Sequence, residues 1–343
     1  MIDFTCDYSE GAHPAILQRL MDTNFEQTPG YGEDMYCQSA REKIRALCGD
    51  VDVHFLVGGT QANLTVIAFL LKPWQGVLCA DTGHINQHET GAVEATGHKV
   101  LALPSKDGKI TAAQVEQAME EHRADATHEH RVQPGMVFIG SPTECGTVYT
   151  REELLALSNV CRRYHLPLYL DGARLGYGMA AGDDSLRWED LTACCDVFYI
   201  GGTKVGALFG EAVVIVNPAL RTDFRYIMKQ RGAMLAKGRL LGLQFDTLFT
   251  GHLYETISRH AVEQAQRIRS AFLEKGIPLL FDSPTNQQFP ILRREQQAFL
   301  AQDFSFCYWE KVDENRDSVR FCTSWATRDE DVTALLHAIE QMP

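Results

Sequence analysis

The sequence of 343 residues predicts an α/β fold, in which helices cover both faces of a mainly parallel β-sheet and a smaller α+β domain follows. Between residues 50 and 216, short and nearly continuous apolar runs alternate with longer stretches of helical character. Strands that are buried on both faces have this pattern. After Asn217-Pro218 the alternation stops, and a long helical region leads into short strand-like runs. This change predicts a second structural unit.

Seven apolar runs are the predicted strands of the large sheet, at 53–57, 76–80, 99–103, 135–140, 166–171, 196–201 and 212–216. Helices are predicted between them. Two of these begin with a capping box, Thr111 with Gln114 and Thr150 with Glu153. Ligands of such sheets bind beyond the carboxyl ends of the strands, so we look for the functional residues there.

The C-terminal part is predicted to be the smaller domain. A helical region covers residues 219–275, and strand-like runs follow at 277–281, 287–292, 304–309 and 319–325. A last helix is predicted from a third capping box, Thr327 with Glu330. We therefore expect a large domain over residues 1–245, which includes the N-terminal segment, and a small domain over residues 246–343.

Composition restricts the partners. With 32 Lys plus Arg against 45 Asp plus Glu, the formal charge of −13 repels phosphate backbones and anionic membranes, so neither nucleic acid nor a membrane is expected to bind. No apolar run approaches the ~20 residues that cross a bilayer. The first twenty residues lack the basic start and apolar block of a signal peptide. We expect a cytoplasmic protein with ten reduced cysteines.

The segment VGGTQAN (57–63) joins a predicted strand to a helix through two glycines. Glycines allow close approach of an anion, and a helix N-terminus presents free N–H groups and the positive end of its dipole. A phosphate therefore fits at Gly59 and Thr60. A tight turn with Thr60 as the helix cap explains this segment alone equally well. The segment has neither the P-loop nor the dinucleotide-binding spacing.

Three further residues follow predicted strands. Asp171, in LYLDGARLGYG (168–178), ends an apolar run and needs a partner, for which Arg174 and a protonated ring nitrogen are the candidates. Lys204, in YIGGTKVGA (199–207), is either a desolvated amine that condenses with an aldehyde or a lysine that reaches the solvent. His84, in HINQHETG (84–91), is either a ring that stacks on a cofactor or a core histidine.

Together these residues meet the requirements of pyridoxal 5′-phosphate. The helix N-terminus binds the phosphate, Asp171 keeps the pyridine nitrogen protonated, and Lys204 bonds to the aldehyde. His84 adds a flat ring that can stack on the cofactor or relay a proton. This interpretation depends on these features occurring together, because each of them alone has a simpler structural explanation. No metal is expected.

With these residues the chain resembles the fold-type I pyridoxal-phosphate enzymes, whose fold is transferase-like, and specifically the low-specificity L-threonine aldolase family. The resemblance runs nearly end to end and is carried by YGED (31–34), GGTQAN (58–63), HINQHETGAVEATGHKV (84–100), GTVYTREEL (146–154), DGAR (171–174), GGTKVG (201–206) and VRFCTSWAT (319–327). It implies a carbon–carbon lyase of amino acid metabolism. Such an enzyme cleaves L-threonine, L-allo-threonine or related β-hydroxy-α-amino acids to glycine and an aldehyde.

The resemblance also implies a role for each matching residue. Lys204 would bond covalently to the cofactor, Asp171 would contact its pyridine nitrogen, and His84 would stack on its ring. Further cofactor contacts would come from Gly59, Thr60, Gln61, Arg174 and Thr203, and substrate contacts from Cys6, Tyr31, Arg174 and Arg320. Arg320 would clamp the substrate carboxylate with two hydrogen bonds. Tyr31 would line the site of a neighbouring subunit and Arg231 would reach the phosphate there, which implies a homodimer or homotetramer with active sites at the dimer interface.

Two positions depart from the family's pattern. Glu144, in SPTECG (141–146), stands where the family commonly has a histidine that helps to deprotonate the substrate hydroxyl. Cys6 stands where a serine often precedes Asp7. A branch that includes phenylserine-type aldolases also has Thr-Glu at the first position, so aldol cleavage stays the expected reaction. His84 is the expected base, with Glu144 second. The alternative function is a β-eliminating lyase acting on another amino acid, which would share every cofactor residue.

Overall fold

The computed structural model describes all 343 residues. Its strands are β1 (Ile2–Asp3), β2 (Asp52–Leu56), β3 (Gln75–Ala80), β4 (Lys99–Leu103), β5 (Gln133–Gly140), β6 (Leu168–Asp171), β7 (Val197–Gly201), β8 (Glu211–Ile215), β9 (Gln287–Gln288), β10 (Ile291–Arg293), β11 (Phe304–Ser305), β12 (Cys307–Lys311) and β13 (Arg316–Cys322). Its helices are α1 (Pro14–Asp22), α2 (Met35–Cys48), α3 (Gly59–Leu70), α4 (His84–Gln87), α5 (Ala112–Ala124), α6 (Arg151–Tyr164), α7 (Leu175–Met179), α8 (Trp188–Cys194), α9 (Phe224–Gln230), α10 (Arg239–Leu248), α11 (Leu253–Glu274), α12 (Arg294–Leu300) and α13 (Asp329–Gln341). Short 3₁₀ helices lie at Glu94–Thr96, His128–His130 and Pro218–Leu220.

Seven strands form one sheet in the order β2-β8-β7-β6-β5-β3-β4. The pairs β4–β3, β3–β5, β5–β6 and β6–β7 are parallel, whereas β8 runs antiparallel to both of its neighbours. Six strands therefore point the same way, and their carboxyl ends lie along one edge of the sheet. The predicted mainly parallel sheet is confirmed, and each predicted strand lies within two residues of an observed one.

Alternate residues of the central strands enter two different cores. In β5, Val137 and Ile139 pack with α5 and α6, whereas Met136 and Phe138 pack on the opposite face with α3. Successive side chains of a strand point to opposite faces, so the sheet is buried on both sides. The nearly continuous apolar runs in the sequence have this cause.

The C-terminal part has its own small sheet, in which β13 pairs with β10, β12 and β9, all antiparallel. The N-terminal strand β1 joins this part, because it pairs with β11 and Phe4 packs in the same core as Ile268 and Phe321. Helix α11 contributes Ile257 to the core of the large sheet and Ile268 to this third core. The domain boundary between residues 245 and 246 stays a prediction.

The predicted helical region over 219–275 is three helices. α9 ends at Gln230, shortly before Gly232, which has a φ of 70°. Gly251 and His252, with φ angles of 61° and 60°, separate α10 from α11. Residues in the left-handed region end a helix, so the predicted helical region consists of three separate helices.

Two smaller predictions are wrong. Residues 277–281 form an isolated bridge between Leu279 and Pro290, because prolines lack the N–H that a continuous ladder needs. Helix α13 has no capping box, since the hydroxyl of Thr327 accepts a hydrogen bond from the amide of Ser324 (2.8 Å). The capping boxes at Thr111 and Thr150 are confirmed.

None of the helices combines the length and the apolar character that crossing a bilayer requires. All ten cysteines are free, and eight of them are buried. No group of three or more His, Cys, Asp or Glu side chains is placed to hold a metal ion.

Candidate active site

The fold brings the predicted site segments to one edge of the large sheet. Each follows or ends a different strand: Gly59 and Thr60 after β2, His84 after β3, Glu144 after β5, Asp171 at the end of β6 and Lys204 after β7. Because β2, β3, β5, β6 and β7 all point the same way, residues up to 145 positions apart in the chain share one cleft edge.

Asp171 is a buried carboxylate with neutral partners only. Its Oδ1 accepts hydrogen bonds from the hydroxyl of Tyr199 (2.5 Å) and the amide of Ala173 (3.0 Å), and its Oδ2 accepts one from Nδ2 of Asn63 (3.0 Å). The residue is 6% exposed and makes no ion pair. A buried charge without a counter-charge is costly, so a cationic ligand group fits at this carboxylate.

Arg174 pairs with Asp7 instead of Asp171, so the simple Asp171–Arg174 pair considered from the sequence is wrong. Its Nε and Nη2 donate to the two carboxylate oxygens of Asp7 at 2.6 and 3.0 Å, and Asn286 donates a third bond to Asp7 (2.9 Å). Burial alone would raise the pKa of Asp7, but the Arg174 guanidinium and the Lys204 charge hold it below its ordinary value. This pair ties the N-terminal segment to the site.

His84 is linked to Asp171 by two side chains that the sequence analysis did not single out. Its Nδ1 lies 2.7 Å from Oε1 of Glu89, and Nδ2 of Asn63 donates to the same oxygen (2.7 Å) as well as to Asp171. Burial would lower the pKa of His84, but the bond to Glu89 and the charges of Glu144 and Asp171 raise it. Both residues lie in the motifs HINQHETG and GGTQAN, but the contacts of Asn63 with Glu89 and Asp171, 26 and 108 positions away, are not visible in the sequence.

Lys204 is half-buried at the end of the glycine-rich turn after β7. Its Nζ makes no ion pair and lies 6.0 Å from the centre of the Tyr8 ring. The turn is held by Glu211, a buried carboxyl that accepts hydrogen bonds from the hydroxyl of Thr203 (2.8 Å) and the amide of Gly202 (3.1 Å). Thr203 therefore supports the turn, and its contact with a cofactor stays a prediction.

The segment after β2 offers unpaired backbone amides. Gly58 precedes the first residue of α3 without any side-chain cap, so the interpretation of Thr60 as the cap is wrong. The amide of Ala62 donates to the Gly58 carbonyl (3.0 Å). It is the first amide of this turn that has a backbone acceptor. A Cβ atom on Gly59 would lie 3.0 Å from the hydroxyl of Tyr199, so a side chain there would crowd the donor that holds Asp171. The amides of residues 59–61 are thus free for a phosphate. The side chain of Gln61 accepts a hydrogen bond from the amide of Val57 (3.1 Å).

The predicted substrate residues Arg320, Cys6 and Tyr31 have different surroundings in the structure. Arg320 donates to the carbonyl of Thr5 (2.9 Å) and to the side chain of Gln287 (3.1 Å), and its buried Nε has no partner. Cys6 follows Thr5 directly, so both lie where the N-terminal segment crosses the C-terminal part. Tyr31 contacts none of the site residues and is 46% exposed, with the Lys229 ammonium 4.5 Å from its ring centre.

A cationic ring between His84 and Asp171 would satisfy the carboxylate that the chain leaves without a counter-charge. The amine of Lys204 and the free amides of α3 lie at the same sheet edge. The fold and the site together therefore define a pyridoxal-phosphate enzyme of fold type I, with pyridoxal phosphate as its cofactor.

A family profile described as beta-eliminating lyase matches residues 3–330, and the chain belongs to this family. It is 30% identical to a low-specificity L-threonine aldolase of Pseudomonas sp., over 97% of this chain and 95% of that one. It is also 30% identical to one of Pseudomonas aeruginosa, over 98% and 96%. The structure of a Leishmania major threonine aldolase is similar, with a TM-score of 0.96, 41% identity and 99% of each chain covered. The predicted family resemblance, fold class and lyase class are confirmed.

The buried carboxyl behind the lysine turn predicts a pH dependence of stability. Burial raises the pKa of Glu211 from 4.5 to about 8, against the hydrogen bond from Thr203 and the charge of Lys204. The folded protein then holds a proton that the unfolded chain has released, so stability falls as pH rises from 4.5 towards about 8. Glu211→Gln, neutral at every pH, should lose less stability over this range.

The measurement is the melting temperature of the cofactor-free protein at several pH values across that range, for the wild type, Glu211→Gln and the exposed control Glu340→Gln. We expect the melting temperature of the wild type and the control to fall by at least about 2–4 °C more than that of Glu211→Gln. Parallel curves for all three proteins would show that the pKa of this carboxyl is not raised in the folded state.

Proposed function

We propose that the protein is an aldolase that cleaves L-threonine, L-allo-threonine or related β-hydroxy-α-amino acids to glycine and an aldehyde. Near-full-length similarity to enzymes named threonine aldolase supports this reaction. The observation that carries the proposal is the unmatched buried carboxylate of Asp171 opposite His84, at the sheet edge that also holds Lys204. When bound there, pyridoxal phosphate supplies an electron sink for the breaking Cα–Cβ bond.

Arg320 is proposed to bind the substrate carboxylate. Its guanidinium is fixed by Thr5, Gln287 and the ring of Trp309, whose centre lies 5.7 Å from the guanidinium carbon, and its Nε still lacks an acceptor. A guanidinium fixed in this way loses little freedom when it binds a carboxylate. Cys6 is proposed to contact the substrate beside Thr5, while Arg174, held by Asp7, keeps its predicted role at the cofactor.

His84 is the proposed base for the β-hydroxyl proton. Its Nδ1 faces Glu89, so Nε2 is the ring nitrogen left for the substrate. Glu144 is the second candidate, because it lines the same small recess as His84 and carries no hydrogen bond to another side chain. A general base contributes about 10²–10⁴-fold to the rate of such a step.

We further propose a homodimer, or a homotetramer built from such dimers, in which each active site is completed by the partner subunit. The exposed apolar side chains include Met21, Phe25, Met35 and Tyr226, which are 64–94% exposed, and Tyr31 lies in the same part of the chain. Large exposed apolar side chains of this kind favour association. Arg231, whose buried Nε has no partner within its own chain, is proposed to reach the phosphate in the neighbouring site.

The cytoplasmic location and the division into residues 1–245 and 246–343 are part of the same proposal. The division is supported by the separate core of the C-terminal part, although Phe4 reaches into that core from the N-terminal segment.

The proposed reaction is tested by incubating the purified protein with a panel of β-hydroxy-α-amino acids, both diastereomers of each, and measuring glycine and aldehyde. The wild type should release both in equal amounts. Lys204→Ala should lose the covalently attached cofactor and nearly all turnover, because no other amine replaces it. His84→Asn should lower kcat by about 10²-fold or more, and Glu144→Gln by less.

Pyruvate and ammonia released in place of glycine and aldehyde would favour the β-eliminating lyase instead. Normal rates in both His84→Asn and Glu144→Gln would exclude both residues as the base.

The shared active site is tested by mixing two inactive chains, Lys204→Ala and Arg231→Ala. In a mixed dimer one site combines Lys204 of one chain with Arg231 of the other, so activity should return to about a quarter of the wild-type level, since half of the dimers are mixed and half of their sites are complete. Each variant mixed with the wild type is the control. If the mixture stays inactive although an affinity tag on one variant co-purifies the other and so shows mixed dimers, Arg231 acts within its own chain or not at all.

A further inference from the structure

Glu89 lies between two residues of the site without reaching the cleft itself. Its side chain is fully buried. Oε1 lies 2.7 Å from both Nδ1 of His84 and Nδ2 of Asn63, while the buried Oε2 has no partner. A buried carboxylate with so few donors is costly unless a neighbouring group supplies positive charge. Of the two side chains that bond Oε1, His84 is the one that can become a cation.

Asn63 extends this contact to Asp171. Its Nδ2 donates to Glu89 and to Asp171 (3.0 Å), and its Oδ1 accepts from the hydroxyl of Tyr169 (2.9 Å). The amide orientation is determined by these partners, because both carboxylates can only accept. An unbroken chain of hydrogen bonds therefore runs from the imidazole through Glu89 and Asn63 to the carboxylate of Asp171.

We propose that Glu89 is a positioning residue for the reaction, and that it acts through His84. By accepting the Nδ1–H bond it keeps the lone pair of Nε2 free to take the β-hydroxyl proton, and it stabilises the imidazolium that forms. The buried aspartate of serine protease triads has this relation to its histidine. This inference rests on the proposed function.

The O–H bond of the β-hydroxyl breaks, and its proton moves to Nε2 of His84. The electron pair left on oxygen forms the aldehyde C=O while the Cα–Cβ bond breaks. The pair of that bond stays with Cα, where pyridoxal phosphate, when bound, would delocalise it. The proton then returns from His84, directly or through water, to this pair on Cα, which gives glycine. Glu89 gains no proton at any stage.

Four groups face the imidazole of His84: the carboxylates of Glu89, Glu144 and Asp171, and the ring of His88, whose centre is 5.6 Å away. The three carboxylates favour the charged form, so the base is released only as pH rises. Loss of either glutamate charge should lower the pKa of His84. Only Glu89 also accepts a hydrogen bond from Nδ1–H of His84. The tautomer of the neutral ring therefore distinguishes the effect of Glu89 from that of Glu144.

The first test is nitrogen NMR of the cofactor-free protein labelled with ¹⁵N-histidine, with His84→Asn to assign the signal. The neutral wild-type ring should be protonated at Nδ1. Glu89→Gln, which keeps an acceptor, should lower the pKa of His84 and keep this tautomer. Glu89→Met should lower the pKa and lose the preference, whereas the control Glu144→Gln should lower only the pKa. An unchanged pKa and tautomer in both Glu89 variants would overturn the inference.

The second test is the pH profile of the holoenzyme with Glu89→Gln. Its kcat should fall by about 10- to 100-fold, its KM should change little because Glu89 touches no substrate, and the acidic limb of kcat should move to lower pH. Glu89→Asp should recover part of the rate. If the kcat of Glu89→Gln and the acidic limb of its pH profile equal those of the wild type, the inference is contradicted. A wild type that cleaves no β-hydroxy amino acid would refute the proposed function, while the NMR result would still decide the role of Glu89.

Discussion

The carboxylate of Asp171 is buried without a cationic partner, and the surrounding side chains keep cations of the chain away from it. Tyr199, Ala173 and Asn63 satisfy its oxygens with neutral donors. The nearby guanidinium of Arg174 is occupied by Asp7. Arg174 would otherwise be the natural partner, and an Asp171–Arg174 pair would remove the need for a cationic ligand. The pair with Asp7 thus leaves the negative charge of Asp171 available for a protonated ring.

The same constraint accounts for the long-range organisation of the chain. Asp7 belongs to the N-terminal segment, whose first strand β1 is paired with β11 and whose Phe4 lies in the third core. The segment that occupies Arg174 is therefore anchored in the C-terminal part. Arg320, which lies in β13 of that part, is bonded to the same segment at the Thr5 carbonyl. Both arginines of the site depend on the contact between the large sheet and the C-terminal part. Helix α3 connects the glycine turn that is proposed to bind the phosphate with Asn63 and hence with both carboxylates.

The sequence predicted much of this arrangement because its strongest signals are local. Apolar runs give the strands, and residues that directly follow parallel strands meet at one edge, so Lys204, Asp171 and His84 were found from position alone. The partners of these residues were not predictable in the same way. Arg174 stands three positions from Asp171 but bonds Asp7, 167 positions away, and no sequence pattern signals that choice.

Glu89, Asn63 and Glu211 were missed for a related reason. Glu89 lies in a turn, Asn63 in helix α3 and Glu211 at the start of strand β8, and their importance depends on burial that only the packed sheet creates. The breaks within the helical region over 219–275 were not predicted, because residues such as His252 adopt a left-handed conformation that apolar periodicity does not reveal. Local patterns thus located the chemistry, while tertiary packing determined which groups are paired.

The most direct measurement is a crystal structure of the protein with its cofactor bound. We expect continuous density from Nζ of Lys204 to a ring that lies between the imidazole of His84 and the carboxylate of Asp171, with the ring nitrogen within hydrogen-bond distance of Asp171. A structure in which Asp171 pairs with a cation of the chain, or in which the Lys204 side chain extends into solvent with no ring beside His84, would contradict it.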